Sequence, residues 1–515
     1  MPFVPLRIYS PYSLLRSALT VQKIGQSAKK FGYGAIGVSD YQSLSGYPDF
    51  FHTLEGNGIG VCYGYDLPLG DGLILSLYAK DEAGYRSLIA LNLLASERPI
   101  TRQDLLGHAQ GLIYVLPAED SPLRLGYSSN PAGARDWLVR FQEGLKPFYV
   151  GVPYLPHDPA FLDFVRDLGE SYSYDLVAFP HICYQKRSDA IALEIVKAIE
   201  SGSLLHDREK TGDEFFLSPE EASAFYTEGE IANTQKIFDG TREFHFLQKR
   251  GGLLQFPTPH GESAEEYLKA LAEEGLRKRK PDAGEEYKKR LSYELSVIDE
   301  MGYADYFLIV QEYVNWARRN GYAVGPGRGS AGGSLVAYAL GIIIPDPIEH
   351  GLFFERFLNP SRKTMPDIDV DFGDQGVVAV HLQELYGKDR VAHIMTLQTI
   401  GAKEAIRDVG RVYDYPRAEV DRLAKAIRGY RPTLADAYRD QGSYFRELVD
   451  KDRYYQEFVH YAHMIEGLPR QTGLHAAGVV LSKRPLVEGI PVYDQEGTGL
   501  VASFEKDYIE EQGYL

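Results

Sequence analysis

Between Met365 and Phe372 the chain reads Met-Pro-Asp-Ile-Asp-Val-Asp-Phe, so carboxylates and apolar side chains alternate residue by residue. A period of two is the pleat of an extended strand. It places Asp367, Asp369 and Asp371 on one face and Ile368, Val370 and Phe372 on the other. Three carboxylates on one face repel one another, raise one another's pKa and destabilise the strand, so a cation is the natural counterweight. Hard oxygen ligands select Mg²⁺ or Mn²⁺, and a pair of such ions aligns the attacking and leaving oxygens of a phosphoryl transfer. The competing reading is a solvated edge strand whose charges prevent pairing. Spacing alone does not choose between Asp367 with Asp369 and Asp369 with Asp371 as the ligand pair.

Upstream, Gly325-Pro-Gly-Arg-Gly-Ser-Ala-Gly-Gly-Ser334 packs five glycines and two serines into ten positions and leads into the apolar segment Leu335–Leu340. Glycines let backbone N–H groups approach an anion, serines add hydroxyl donors, and a helix N-terminus adds a favourable dipole. A phosphate is the expected guest. The loop has no Gly-Lys-Ser/Thr and no downstream ribose-binding acid, so it is neither a P-loop nor a dinucleotide fingerprint. Arg356 and Arg362 lie between the loop and the carboxylates, where guanidinium groups either neutralise triphosphate charge or pair with Glu355 and the aspartates.

The length, 515 residues, calls for several domains. Residues 1 to about 200 alternate β-rich runs (Leu6–Ser10, Ala35–Ser39, Leu73–Tyr78, Leu112–Val115, Leu176–Phe179) with helical stretches, the signature of largely parallel strands in a barrel or doubly wound sheet. Ser218-Pro219 reads as a helix start, and Gly and Pro cluster at 250–259 as a boundary. Helical spacing covers Glu265–Leu276, Tyr287–Met301 and Tyr306–Arg319, with the basic run after Leu276 a solvated helix end. Residues 403–466 read as helix broken at Arg431-Pro432, after which Ala477–Ser482 returns to strand. Two cysteines far apart, Cys62 and Cys183, support neither a disulfide framework nor a zinc finger, and a reducing cytoplasm is the expected setting. No apolar run is long enough to span a bilayer. The net charge of −17 argues against a protein that simply coats nucleic acid, though an acidic enzyme can still hold DNA locally.

The order and spacing of Tyr306-Phe-Leu-Ile-Val, Gly325-Pro-Gly-Arg-Gly-Ser, Phe354-Glu-Arg-Phe-Leu-Asn-Pro, Met365–Phe372, Ala405-Ile-Arg-Asp-Val-Gly-Arg-Val412 and His475-Ala-Ala-Gly-Val-Val resemble the N-terminal half of bacterial replicative DNA polymerase III alpha subunits, the C-family polymerases. The resemblance implies a multidomain α/β chain. Residues 1–240 would be a polymerase-and-histidinol-phosphatase (PHP) domain, a distorted β/α barrel. Residues 241–400 and 479–515 would form a nucleotidyltransferase-type palm sheet, interrupted by a helical thumb at 401–478. It further implies template-directed DNA synthesis by two-metal catalysis, with Asp367 and Asp369 as catalytic ligands of two Mg²⁺ ions. Gly327, Arg328, Gly329, Ser330, Gly333, Ser334, Arg356 and Arg362 would surround the incoming dNTP, Ser330 and Ser334 as the side-chain donors. Lys403, Arg407 and Arg411 would face duplex backbone or help to pack the palm. Primer-template DNA, dNTPs, a sliding clamp and other replicase subunits are the implied partners, in the cytoplasm.

Two departures qualify this. The family completes its metal site with a third aspartate, in Lys-x-Asp-Phe-Leu-Gly, and the sequence stops at Glu510-Glu-Gln-Gly-Tyr-Leu515 just before such a strand. The expectation is weak metal and nucleotide binding and poor polymerisation by these residues alone; the alternative is a non-catalytic DNA-binding or scaffold piece of a split or decayed polymerase. In the PHP region, active members carry His-x-His, Thr/Ser-Asp-His, an acid and Asp-Val-His, whereas this chain has Arg7 and Tyr9, Ser39-Asp40-Tyr41, Asp66 and His181-Ile-Cys183. A structural PHP domain without proofreading is expected. Asp40, Asp66, His181 and Cys183 are the set left for one ion, with His181 the more ordinary histidine of a core or rim.

Overall fold

The computed structural model describes residues 2–206, 212–246, 249–252, 254–361 and 366–514. Two compact units emerge. One comprises Met1–Gln248, Ile394–His475 and Val487–Tyr508, the other Lys249–His393, Ala476–Leu486 and Ile509–Leu515.

In the first unit eight strands form one sheet: β1 (Arg7–Ile8), β2 (Ala35–Tyr41), β3 (Gly60–Leu69), β4 (Leu73–Ala79), β5 (Leu112–Pro117), β6 (Phe148–Val152), β7 (Asp175–Ala178) and β8 (His181–Ile182), in the order β7-β6-β5-β4-β3-β2-β1-β8. Neighbours run parallel except around β4, which is antiparallel to both β3 and β5. The expectation of parallel strands therefore needs one correction, a β3–β4 hairpin turned at Gly70–Gly72. The tight turn makes β3 and β4 antiparallel neighbours, and β4, so reversed, also lies antiparallel to β5 although a connection carrying two helices joins them. Ser218 opens the helix Pro219–Phe225 with a capping box to Glu221, as its sequence foretold.

The helices Ala402–Val412 and Arg453–Ile465 pack on each other and on Ala190–Ser201 in this same unit, where the Leu205 amide donates to the Val412 carbonyl at 2.7 Å. Residues 394–475 thus group in one compact unit with the N-terminal residues up to 248. Their apolar face (Ala405, Ile406, Val409, Val412) needs a partner, and the apolar helix Ala190–Ser201 supplies one. The following strand begins earlier than its sequence pattern, at Pro469 and not Ala477. It belongs to a second, four-stranded sheet containing β9 (Val391–Thr399), β10 (Pro469–Leu481), β11 (Val492–Gln495) and β12 (Gly499–Ala502) in the order β10-β9-β12-β11.

The second unit is built on the helices Ala264–Arg279, Glu285–Glu300 and Ala304–Arg319, each within a few residues of its expected span. Leu268, Ala272, Leu291, Ile298, Phe307 and Val314 enclose the buried helix Leu335–Ala339 in one apolar core. That short helix carries a counter-charge at each end. Glu294 meets its N-terminus, while Arg279 donates to the Tyr338 and Ile343 carbonyls (2.6 and 2.9 Å) and Arg318 to the Gly341 carbonyl beyond its C-terminus. The basic run 277–280 is therefore only partly a solvated helix end, because Arg279 is spent on buried carbonyls. Among the described residues no helix is long and apolar enough to cross a membrane.

Candidate functional site

In the second unit the glycine loop and the aspartate run lie side by side. Val324 pairs with Phe372 and Arg328 with Asp369 as antiparallel bridges; the Gly325 amide donates to the Asp371 carbonyl (2.8 Å) and the Arg328 amide to the Asp369 carbonyl (3.3 Å). The predicted alternation is present. Asp367 and Asp371 are exposed and Asp369 half-buried, while Ile368 is buried and Val370 and Phe372 pack against the core. The run is held by isolated bridges, not by a continuous ladder, with Tyr306 accepting from the Ile368 amide at 3.2 Å. Burial, with Asp367 and Asp369 adding to it, raises the Tyr306 phenol well above its usual range.

Gly327 and Gly329 take positive φ (92° and 70°), and a Cβ on Gly329 would come within 2.7 Å of Asp369 Oδ2. Glycine is what allows the loop to touch the carboxylate strand. Gly333 backs onto the Phe353 carbonyl, which a Cβ would meet at 2.5 Å. This contact sets the turn Phe354–Arg356, with exposed Arg356, against the segment Gly329–Gly333. Arg362 lies outside the described residues.

Two of the expected triphosphate donors have other partners. Arg328 Nη1 is 3.2 Å from Asp369 Oδ2 and its Nε 3.1 Å from Asp371 Oδ1, so its guanidinium offsets the carboxylates directly, and they hold its proton more firmly than usual. Ser334 is fully buried: its Oγ donates to Glu294 (2.9 Å) and accepts from the Ala337 amide (3.1 Å), capping Leu335–Ala339. Glu294, also fully buried, accepts from the Leu335 and Val336 amides (2.9 and 3.0 Å) and from Arg290 (2.7 Å); burial raises its pKa against those bonds. The expectation that Ser334 and this helix N-terminus meet a phosphate is corrected, because Glu294 already occupies both. Of the two serines only Ser330 is exposed. Glu294 was invisible as a site residue because its partners lie some forty residues away in sequence.

On the helix Ala402–Val412, Lys403, Arg407 and Arg411 fall four apart on one exposed face, opposite buried Ala405, Ile406 and Val409. Arg407 is 4.0 Å from Asp421 and Arg411 3.4 Å from Asp408.

In the first unit, strands β8, β1, β2 and β3 lie side by side, and they carry or border Arg7, Tyr9, Asp40, Asp66, His181 and Cys183. Arg7, fully buried, pairs with Asp66 (2.8 Å), Glu119 (2.9 Å) and Asp120 (2.7 Å). Asp66 also accepts from Tyr9 (2.8 Å) and Ser76 (2.5 Å). Asp40 accepts from the Ser10 amide and hydroxyl and from Ser13, at 2.8, 2.6 and 2.5 Å; burial nevertheless pushes its pKa up to about 6. Neither aspartate joins His181 and Cys183 as expected, because each is saturated by internal donors. Among the described residues the group that does converge is His181, Cys183 and Glu214, one ligand atom from each within 4.8 Å of the others. Glu214 had no sequence signal beyond lying in a polar stretch.

Residues 5–152 match the family model described as the PHP domain, and residues 266–515 that described as the bacterial DNA polymerase III alpha NTPase domain. The chain is a homologue of the bacterial DNA polymerase III alpha subunits, matched over a PHP domain and an NTPase domain. Among its relatives are the DNA polymerase III subunit alpha of Aquifex aeolicus (32% identical), of Bacillus subtilis (34%) and of Escherichia coli K12 (34%). Each alignment takes in all of this chain and 50%, 48% and 47% of the relative. The chain therefore spans about half the length of the curated relatives it matches.

Proposed function

We propose that Gly325–Phe372 is the nucleotidyl-transfer site of a DNA-directed DNA polymerase, and that Asp367 and Asp369 hold two Mg²⁺ ions, with Mn²⁺ as a substitute. The observation that carries the reading is the bridge between Arg328 and Asp369, which brings a glycine-rich, anion-friendly loop against an open row of carboxylates. The donor set fits the ions: hard carboxylate oxygens, exposed or half-buried, on one face of an extended segment. When bound, the metals supply Lewis-acid activation of a primer 3′-hydroxyl and neutralise the departing pyrophosphate. The chain's own residues position the substrate. Amides of Gly327, Gly329 and Gly333 with the Ser330 hydroxyl line the triphosphate, and Arg356, Arg328 and Arg362 balance its remaining charge. Asp371 stays with Arg328.

By the same homology we read the eight-stranded unit as the family's distorted β/α barrel with a structural role, and residues 401–478 as a thumb whose Lys403, Arg407 and Arg411 contact phosphates of primer-template DNA without reading sequence. Sliding clamp and replicase subunits are proposed partners of the longer relatives' kind.

The test is Mn²⁺ titration of the purified chain by electron paramagnetic resonance, with and without dNTP, alongside primer extension. Asp367→Asn and Asp369→Asn should each weaken nucleotide-dependent Mn²⁺ binding at least tenfold, as should any extension activity. Unchanged binding in the double variant would refute the assignment.

A further inference from the structure

Asp367 and Asp369 flank Ile368, so whatever fixes the Ile368 backbone also fixes the spacing of the two carboxylates. In an extended segment the backbone polar groups of successive residues point to opposite edges. The Asp369 and Asp371 carbonyls accept from the Arg328 and Gly325 amides, which assigns one edge to the glycine loop. The Ile368 amide therefore faces the other edge, and there it donates to the Tyr306 hydroxyl at 3.2 Å. Tyr306 stands where a neighbouring strand would, at one point between the two aspartates.

The phenol is itself firmly placed. Tyr306 lies in the first turn of the helix Ala304–Arg319, and its ring packs against the core of the second unit. Its neighbour Asp305 accepts from the Phe256 amide at 2.7 Å, which pins the start of that helix. Farther along, Tyr313 lies against Phe372 with ring centroids 6.0 Å apart, Glu312 meets His381 Nε2 at 3.0 Å, and Trp316 stacks on the His381 ring at 3.9 Å. Helical periodicity brings Tyr306, Tyr313 and Trp316 to one side of the helix. His381 belongs to the helix Gln375–Tyr386, which follows the aspartate run directly. One helix thus holds the run at Ile368, at Phe372 and on the element after it.

Two ions about 3.5–4 Å apart must be held by carboxylates whose Cα atoms are about 6.5–7 Å apart on an extended segment. That span varies with the backbone of the residue between them, and here isolated bridges, not a continuous ladder, stiffen the run. On the reading of Asp367 and Asp369 as metal ligands, on which this rests, we propose that Tyr306 is a positioning residue for the nucleotidyl transfer: its hydroxyl fixes the Ile368 amide and so sets the separation at which the two aspartates hold a pair of divalent ions. Tyr306 acts through the backbone and not on the ions or the nucleotide. Without the hydroxyl the Ile368 amide loses this acceptor, and the loop edge alone is left to set the spacing.

The experiment compares the full natural chain with Tyr306→Phe, which keeps the ring and removes the hydroxyl, by electron paramagnetic resonance with Mn²⁺ and dNTP. Two Mn²⁺ ions about 4 Å apart are magnetically coupled and give a spectrum unlike that of isolated ions. The natural chain should show the coupled spectrum. Tyr306→Phe should lose it and bind the second ion about tenfold more weakly or worse, with the first ion's affinity within about twofold. A fluorinated tyrosine at position 306, a poorer acceptor of nearly the same size, should fall between the two. Tyr303→Phe, the same change on a neighbouring ring packed on that core, should keep the coupled spectrum, and circular dichroism checks that each variant folds. A hydroxyl that served stability alone would lower the melting temperature and leave the coupling intact. Coupling and affinity retained in folded Tyr306→Phe overturn the proposal by themselves. A natural chain that binds no ion pair overturns the metal-ligand reading, and the proposal with it.

Discussion

The Arg328 amide donates to the Asp369 carbonyl while the Arg328 guanidinium reaches the Asp369 carboxylate at 3.2 Å, so one arginine is bound to one aspartate through both backbone and side chain. The side-chain pair is solvent-accessible and exchangeable; the backbone pair fixes the register. Arg328 therefore competes with any cation for Asp369. Arg328→Gln should tighten Mn²⁺ binding severalfold without nucleotide, yet weaken dNTP binding, because a triphosphate partner is lost. Both constants come from one paramagnetic-resonance titration, and a variant that shifts neither would place Arg328 outside the site.

Ser330 and Ser334 differ in accessibility, and their alanine variants should separate cleanly. Ser330→Ala removes an exposed hydroxyl and should cost up to about tenfold in dNTP affinity, the worth of one net hydrogen bond. Ser334→Ala removes a helix cap and leaves Glu294 one donor short; it should cost about 1 kcal/mol of stability in urea unfolding, with dNTP affinity unchanged. Equal losses of affinity in both would contradict the buried placement of Ser334.

Asp40 gives a signed pH dependence. Its folded-state pKa of about 6 exceeds the ordinary 3.8, so between these values the folded protein keeps a proton that the unfolded chain has released. Stability consequently falls as pH rises from about 4 to about 6 and stays lower above, by on the order of 3 kcal/mol. Asp40→Asn, which never ionises, should flatten this part of the profile. Thermal melts of both proteins across that range decide it, and superimposable profiles would remove Asp40 as the cause.

The stripe Lys403, Arg407 and Arg411 should reveal itself through salt. If each contacts one phosphate, each alanine variant lowers the slope of log K against log salt for primed duplex by about 0.9. Lys403→Ala should show the full change and Arg411→Ala a smaller one, because Asp408 already holds Arg411. Fluorescence anisotropy at several salt concentrations measures it. A slope untouched by all three would mean the stripe only faces water.

Local periodicity was legible. Carboxylates at every second position required an extended backbone, and the structure keeps Asp367, Asp369 and Asp371 away from the core that takes Ile368. Helices Glu285–Glu300 and Ala304–Arg319 were readable for the same reason, since apolar spacing is a property of neighbours in sequence. The hairpin between β3 and β4 was not, because a strand buried on both faces, such as Gly60–Leu69, has little alternation to read. Nor was the grouping of residues 394–475 with the first unit, which depends on which other apolar face lies within reach.

The sequence by itself determined which residue types meet at the loop and the aspartate run: backbone freedom at Gly327 and Gly329, and a shared face for the three carboxylates. Both follow from φ/ψ limits and strand period, which act within a few residues. Only the tertiary structure decided that Ser334 caps a helix against Glu294, that Arg328 spans Asp369 and Asp371, that Arg7 takes up the acids near Asp66, and that Glu214 joins His181 and Cys183. These pairings depend on burial and on partners brought together by long-range packing. Desolvation makes such partners obligatory for buried polar groups, and spacing along the chain does not encode who they are.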